Sequence, residues 1–135
     1  MQPYLRDPAR IYRESFRTVR AEARLGRFEA DMEPVAIRLI HACGMVEVAD
    51  RLVWSERAVE GARLALANGA PVLCDCTMLA AGIVRRGLPA RNDVVVTLGD
   101  ARVPALAGEM GNTRSAAAVE LWRDRLQGAV VAIGN

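Results

Sequence analysis

Residues 94–98 read VVVTL, a run of β-branched and apolar residues that ends at Gly99 and Asp100. A short apolar run closed by turn residues is typical of a buried strand. Residues 71–74, PVLC, and residues 129–133, AVVAI, have the same character. Continuous apolar strands without alternating polar positions favour a mainly parallel sheet that is covered on both faces.

Helical patterns precede and separate these strands. Asp7 and Pro8 are the predicted N-cap and first residue of the first helix. The first helix is predicted from Pro8 along the apolar stripe Tyr12, Phe16, Val19 and Ala23. Further helices are predicted over about residues 32–43 with Gly44 as the stop, from after Ser55 to residues 68–69, and over residues 115–126. The alternation predicts an α/β fold, a three-layer αβα architecture with a mainly parallel sheet.

Length and composition set the class of protein. A chain of 135 residues is long enough for a core of its own, and we predict a single domain over residues 1–135. The net charge of +2 and the absence of a basic run argue against a nucleic-acid partner. No stretch approaches the roughly 20 apolar residues of a membrane span, and the N-terminus lacks the apolar block of a signal peptide. We therefore expect a cytoplasmic protein without a membrane partner.

The cysteines and the end of the chain carry further expectations. Three cysteines in a chain without an export signal predict reduced thiols, and the spacing of Cys74 and Cys76 fits neither a redox pair nor a zinc pair. The sequence ends two residues after the last predicted strand, with no helix to cover that strand. We expect a C-terminally truncated form, or a sheet that is completed elsewhere.

His41 is the single histidine and lies near the predicted end of the second helix. Histidine ordinarily titrates near neutral pH and suits proton transfer. Spacing alone favours an ordinary surface or capping residue, because no Ser, Cys or Asp at motif spacing completes a triad. Tyr12 and Ser15 are three residues apart on the first helix and can face one cavity, although such residues more often border a core or face water.

Two arginine-containing stretches are candidates for binding anions. Residues 111–115, GNTRS, place backbone N–H groups, Arg114 and Ser115 at a predicted helix start, which suits a carboxylate or phosphate; plain capping is an equal alternative. Arg85 is either an anion contact or part of a solvated loop. All 18 basic residues are Arg, whose planar fork pairs bidentately with carboxylates, although a codon bias is the plainer explanation. There is no glycine-rich phosphate loop to support a nucleotide cofactor.

Seven local strings, taken in order, closely resemble the precorrin-8X methylmutase (cobalt-precorrin-8 methylmutase) family. They are IY at residues 11–12, SF at 15–16, RAEA at 20–23, IHACG at 40–44, GAPVLCD at 69–75, GNTRSAAA at 111–118 and VAIGN at 131–135. The resemblance runs from Tyr4 to the last residue without large gaps.

The resemblance implies an isomerase of cobalamin biosynthesis. Enzymes of this family move a methyl group from C11 to C12 of precorrin-8X or cobalt-precorrin-8, which gives hydrogenobyrinate or cobyrinate. It also implies a homodimer that binds the tetrapyrrole near the subunit interface and needs no cofactor. A non-catalytic corrinoid-binding module is the alternative.

The resemblance also implies roles for single residues. The family's catalytic histidine falls on His41, where it is taken to protonate the macrocycle and so favour a sigmatropic methyl shift. Substrate contacts of the family fall on Ser15, Arg114 and Ser115, and the residues by themselves add Tyr12 and Arg85. The chain departs from the family at Val84, where members usually have Thr, and it lacks the family's C-terminal elements.

Overall fold

A computed structural model of the chain describes residues 4–134. Its contacts divide them into two compact units, one ending at Glu60 and the other beginning at Gly61. A single domain over residues 1–135 stays a prediction, and Asn135 of the last family-like string lies outside the described residues. The helices are α1 Pro8–Glu22, α2 Glu33–Cys43, α3 Val48–Arg51, α4 Ala58–Ala67, α5 Thr77–Gly82, α6 Val103–Met110 and α7 Arg114–Glu120; the strands are β1 Val72–Cys74, β2 Val94–Val96 and β3 Val130–Ala132.

Helix α1 begins where the sequence predicts it. The Asp7 carboxylate accepts a hydrogen bond from the backbone N–H of Ala9 at 3.1 Å, and Pro8 occupies the first turn, where its missing N–H costs nothing. The helix ends as Ala23 turns to an extended conformation. Val19 is buried and Phe16 and Ala23 pack against its cluster, so this part of the predicted apolar stripe faces a core, whereas Tyr12 is 52% exposed.

Helix α2 supplies the other half of that core. Ile37 and Ile40 are buried and cluster with Val19 and Ala49. Leu39, the apolar neighbour of Ile40, is 41% exposed. A helix turns by about 100° per residue, so a core face centred on Ile40 leaves its neighbour Leu39 about a quarter turn away.

The sheet lies in the second unit and is parallel throughout its described strands. Its order is β2-β1-β3, with Val72 opposite Val94 on one side and opposite Val130 on the other. Parallel strands are joined by long crossover connections. The connection from β1 to β2 contains α5, and the connection from β2 to β3 contains α6 and α7. All three residues of β1 are buried. The predicted α/β class with a parallel sheet is confirmed.

Helices α6 and α7 form a second cluster in this unit, with Val103, Ala107, Ala117 and Ala118 buried. A buried polar chain adjoins it: the Trp122 indole N–H donates to the Thr97 hydroxyl at 2.8 Å, which donates to the Ala118 carbonyl at 2.7 Å. The helix predicted over residues 115–126 is shorter, because α7 ends at Glu120 and the chain continues as a 3-10 turn.

None of the helices between residues 4 and 134 combines the length and apolarity that crossing a bilayer requires. Cys43, Cys74 and Cys76 are free thiols, and burial raises the pKa of the Cys74 thiol, with the Asp75 carboxylate adding to this effect. A buried thiol of raised pKa is a packing residue rather than a nucleophile.

We expect Thr97→Val to lower the free energy of unfolding by about 1–3 kcal/mol, because the buried indole N–H of Trp122 and the Ala118 carbonyl lose their common partner. Urea denaturation followed by fluorescence and circular dichroism measures this loss. Thr18→Val is the matched control, since the exposed Thr18 hydroxyl donates only to the Glu14 carbonyl; its effect should be about 0.5 kcal/mol or less. Equal losses in the two variants would contradict the assignment.

Candidate active site

Three of the residues predicted for a site come together in the first unit. His41 lies in the last turn of α2, and Ser15 and Tyr12 lie on α1. The Ser15 hydroxyl is 2.7 Å from Nδ1 of His41. The rings of Tyr12 and His41 have centroids 5.0 Å apart and are tilted by 37°. Helix packing therefore joins residues that are 26 positions apart in the sequence.

The core residues explain this juxtaposition. Ser15 lies one helical turn before the buried Val19, and His41 directly follows the buried Ile40. Residues four apart on a helix share a face, so packing of Val19 against Ile40 brings the Ser15 and His41 side chains to the edge of the same contact. Both side chains are half-buried there. They are shielded enough to hold a fixed hydrogen bond and open enough to meet a ligand.

Phe16 is a site residue that the sequence analysis assigned only to the core stripe. Its ring stands edge-on to the His41 imidazole, with centroids 5.4 Å apart at 83°, and edge-on to Tyr12 at 5.9 Å. Edge-to-face contacts of this kind favour one ring orientation. The Arg38 guanidinium lies over the Phe16 ring at 5.7 Å. Phe16 therefore contacts both the Arg38 guanidinium and the His41 imidazole.

A cavity of about 280 Å³ borders the Ser15–His41 pair. Its lining, all in the first unit, is Glu14, Ser15, Thr18, Val19, Glu22, Ile40, His41, Gly44 and Val46. This volume lies just below the usual range for small-molecule sites. Glu14, Thr18 and Glu22 were not among the predicted site residues, although their spacing of four along α1 places them on one face of the helix.

An ion pair lies at the cavity rim. The Arg17 guanidinium donates to the Glu14 carboxylate at 2.5 and 3.2 Å. These hydrogen bonds, together with the positive charge of Arg17, hold the pKa of Glu14 below its usual range. Glu14 is therefore a carboxylate at neutral pH rather than a second proton donor.

The other predicted site residues belong to the second unit. Arg114 and Ser115 are exposed and begin α7, whose N-cap is Thr113. Side chains cap the start of this helix: Thr113 Oγ1 accepts from the Ala116 N–H at 3.1 Å, and Asn112 Oδ1 accepts from the Thr113 N–H at 2.7 Å. Within residues 4–134, neither the Arg114 guanidinium nor the Ser115 hydroxyl has a hydrogen bond or ion pair.

Arg85 lies in a different part of the second unit's sequence and lines a cavity that does not include Arg114 or Ser115. It begins a 3-10 turn, and its cavity of about 540 Å³ is also lined by residues of α5 and β2. Across the described part of the chain, no three His, Cys, Asp or Glu side chains are grouped as metal ligands.

Comparison with known proteins gives a consistent result. A family model for precorrin-8X methylmutase matches residues 10–135. The precorrin-8X methylmutase of Pseudomonas aeruginosa is 56% identical over 135 residues, and that of a Sinorhizobium species is 54% identical over 132 residues. These alignments cover 100% and 98% of this chain but 65% and 63% of the two relatives, so the chain spans less than two thirds of their length.

A solved structure gives the same answer for the fold. The crystal structure of precorrin-8X methylmutase from Thermus thermophilus is similar with a TM-score of 0.80 and 36% sequence identity, covering 94% of this chain and 62% of that one. The α/β fold, the ordered sequence strings and the match over residues 10–135 therefore agree. The chain belongs to the precorrin-8X methylmutase family.

Proposed function

We propose that the chain is an isomerase of cobalamin biosynthesis that moves a methyl group from C11 to C12 of precorrin-8X, or of cobalt-precorrin-8, to give hydrogenobyrinate or cobyrinate. Family membership supports the reaction class. The observation that carries the proposal is the His41 imidazole, which is hydrogen-bonded through one nitrogen and borders a cavity. Such a group is placed to exchange a proton with a bound ligand.

His41 acts as the proton donor and acceptor in this proposal. Its protonated imidazole gives a proton to the conjugated macrocycle, which favours migration of the methyl group; the bond to C11 breaks as the bond to C12 forms. Substrate and product are isomers, so a proton is returned and His41 regains its starting state. Nε2 of His41 makes no hydrogen bond with any residue from 4 to 134, which leaves it available for this exchange.

The other predicted site residues bind the substrate. Tyr12 is 52% exposed beside His41 and offers an aromatic face to a flat conjugated ring. Arg114, Ser115 and Arg85 pair with the acetate and propionate groups of the tetrapyrrole. Arg114 has no carboxylate partner among the described residues, so its guanidinium is available for a ligand. Arg123, by contrast, is already paired with Glu120.

Ser15 is the fifth proposed substrate contact, and its hydroxyl also meets His41. The homodimer, the cytoplasmic location, and the absence of a cofactor and of nucleic-acid or membrane partners stay predictions from the sequence.

We expect His41→Gln to lower turnover of precorrin-8X by at least about 100-fold, because general acid–base catalysis typically contributes that much. Binding of hydrogenobyrinate should be largely retained, since Gln preserves the polarity of the site. The visible spectrum of the corrin product measures turnover, and retention of colour after gel filtration measures binding. Undiminished turnover in the variant would remove His41 from the mechanism.

The unmodified chain separates the proposed enzyme from its alternative. Product formation supports the isomerase. Retained colour with hydrogenobyrinate but no product would instead favour a corrinoid-binding module, and the absence of both would exclude the two together.

We expect Arg114→Gln to weaken hydrogenobyrinate binding and raise KM about 10-fold or more, with kcat less affected, because a charge-assisted pair to a substrate carboxylate is lost in ground state and transition state alike. Arg123→Gln is the matched control, an exposed arginine just after the same helix whose partner is Glu120. Similar KM values for the two variants would contradict a substrate role for Arg114.

A further inference from the structure

We infer that Ser15 is a positioning residue for His41: its hydroxyl accepts from Nδ1–H, holds the imidazole as the Nδ1–H tautomer, and so makes Nε2 the atom that exchanges the proton. The juxtaposition of the Ser15 hydroxyl and Nδ1 at 2.7 Å carries this inference. The inference rests on the proposed function of His41, because the 2.7 Å contact fits either direction and the role of proton donor selects the one in which the Ser15 hydroxyl accepts.

The position of the His41 ring is defined from three directions. Ser15 holds Nδ1, the Phe16 ring stands edge-on at 5.4 Å, and the Tyr12 ring lies tilted at 5.0 Å. All three contacts come from α1, whose packing against α2 is set by the buried cluster that includes Val19 and Ile40. A half-turn of the imidazole about its Cβ–Cγ bond would carry Nδ1 away from the Ser15 hydroxyl and break the hydrogen bond.

The direction of the hydrogen bond follows from what a proton donor requires. The imidazolium has N–H groups at both nitrogens and no lone pair, so against Nδ1–H the Ser15 hydroxyl can only accept. When Nε2 gives up its proton, the neutral ring that remains is the Nδ1–H tautomer, with the same hydrogen bond to the same oxygen. The proton therefore leaves from Nε2 without any reorientation of the hydroxyl.

This assignment changes how Ser15 is understood. The family resemblance implies a substrate contact, whereas the hydrogen bond to Nδ1 makes it a residue that acts through His41. A hydroxyl that accepts from Nδ1–H still has its own proton to donate, so the two roles are compatible. The positioning role is the one that predicts a spectroscopic signature in the absence of any ligand.

The single histidine makes the test direct, because chains labelled with ¹⁵N-histidine give one pair of ring-nitrogen signals. In the ligand-free chain, at a pH where the ring is neutral, we expect a protonated Nδ1 and an unprotonated Nε2. Ser15→Ala should shift the ring towards the Nε2–H tautomer that free histidine favours, and Ser15→Thr should restore the Nδ1–H tautomer. A ring that is mainly Nε2–H in the unmodified chain, or unchanged in Ser15→Ala, would overturn the inference.

Turnover supplies the second arm. Ser15→Ala should lower kcat for precorrin-8X by about 10-fold to 100-fold, since loss of a hydrogen bond to a charged group costs that much. Ser15→Thr should recover most of the rate. Ser55→Ala is the matched control, an exposed serine between α3 and α4 with no role in the site. A changed tautomer with an unchanged kcat would overturn the positioning role.

The ¹⁵N spectrum and the turnover measurement together distinguish failure of this inference from failure of the proposed function. Failure of the unmodified chain to convert precorrin-8X would refute the proposed function and leave the ligand-free tautomer to be judged on its own signals. Normal turnover together with an Nε2–H ring would refute the inference alone. Circular dichroism of Ser15→Ala should show intact helices, because alanine is the best helix former.

Discussion

Burial of Val19 against Ile37 and Ile40 fixes how α1 lies on α2, and the candidate active site depends on this apolar contact. Neither helix carries a site by itself. The contact holds the Ser15 hydroxyl at Nδ1 of His41 and closes one side of the cavity. Burial of these three side chains, worth about 1.5–3 kcal/mol each, therefore also maintains a polar geometry that a single hydrogen bond could not hold in water.

The sequence predicted most elements but few contacts between them. The apolar runs at β1, β2 and β3 and the cap at Asp7 follow local rules, and the structure has them in place. Helices α3, α5 and α6 were not predicted because four to eight residues are too few to show a helical period. The exposure of Leu39 depends on which side of α2 the neighbouring helix covers, and that is a tertiary property.

The same distinction applies to the candidate site. His41 and Ser15 could each be picked out by residue type and by the family-like strings, but their hydrogen bond joins positions 26 residues apart and depends on how two helices pack. The cap at Thr113 was predictable, since Asn112 and Thr113 precede a helical pattern. Phe16 and the polar lining of the cavity were missed because their spacing fits an ordinary amphipathic helix.

Gly44 shows how narrowly such a site constrains sequence drift. It ends α2 in a left-handed conformation, with φ of 72° and its N–H bonded to the Ile40 carbonyl at 2.7 Å, three residues after His41. A Cβ added there would meet no atom within 4 Å, so the restriction comes from the backbone and not from crowding. Asn tolerates this conformation best after Gly, whereas β-branched residues strain it. Substitutions at position 44 are therefore limited to residues that adopt the left-handed conformation and so preserve the end of α2 next to His41.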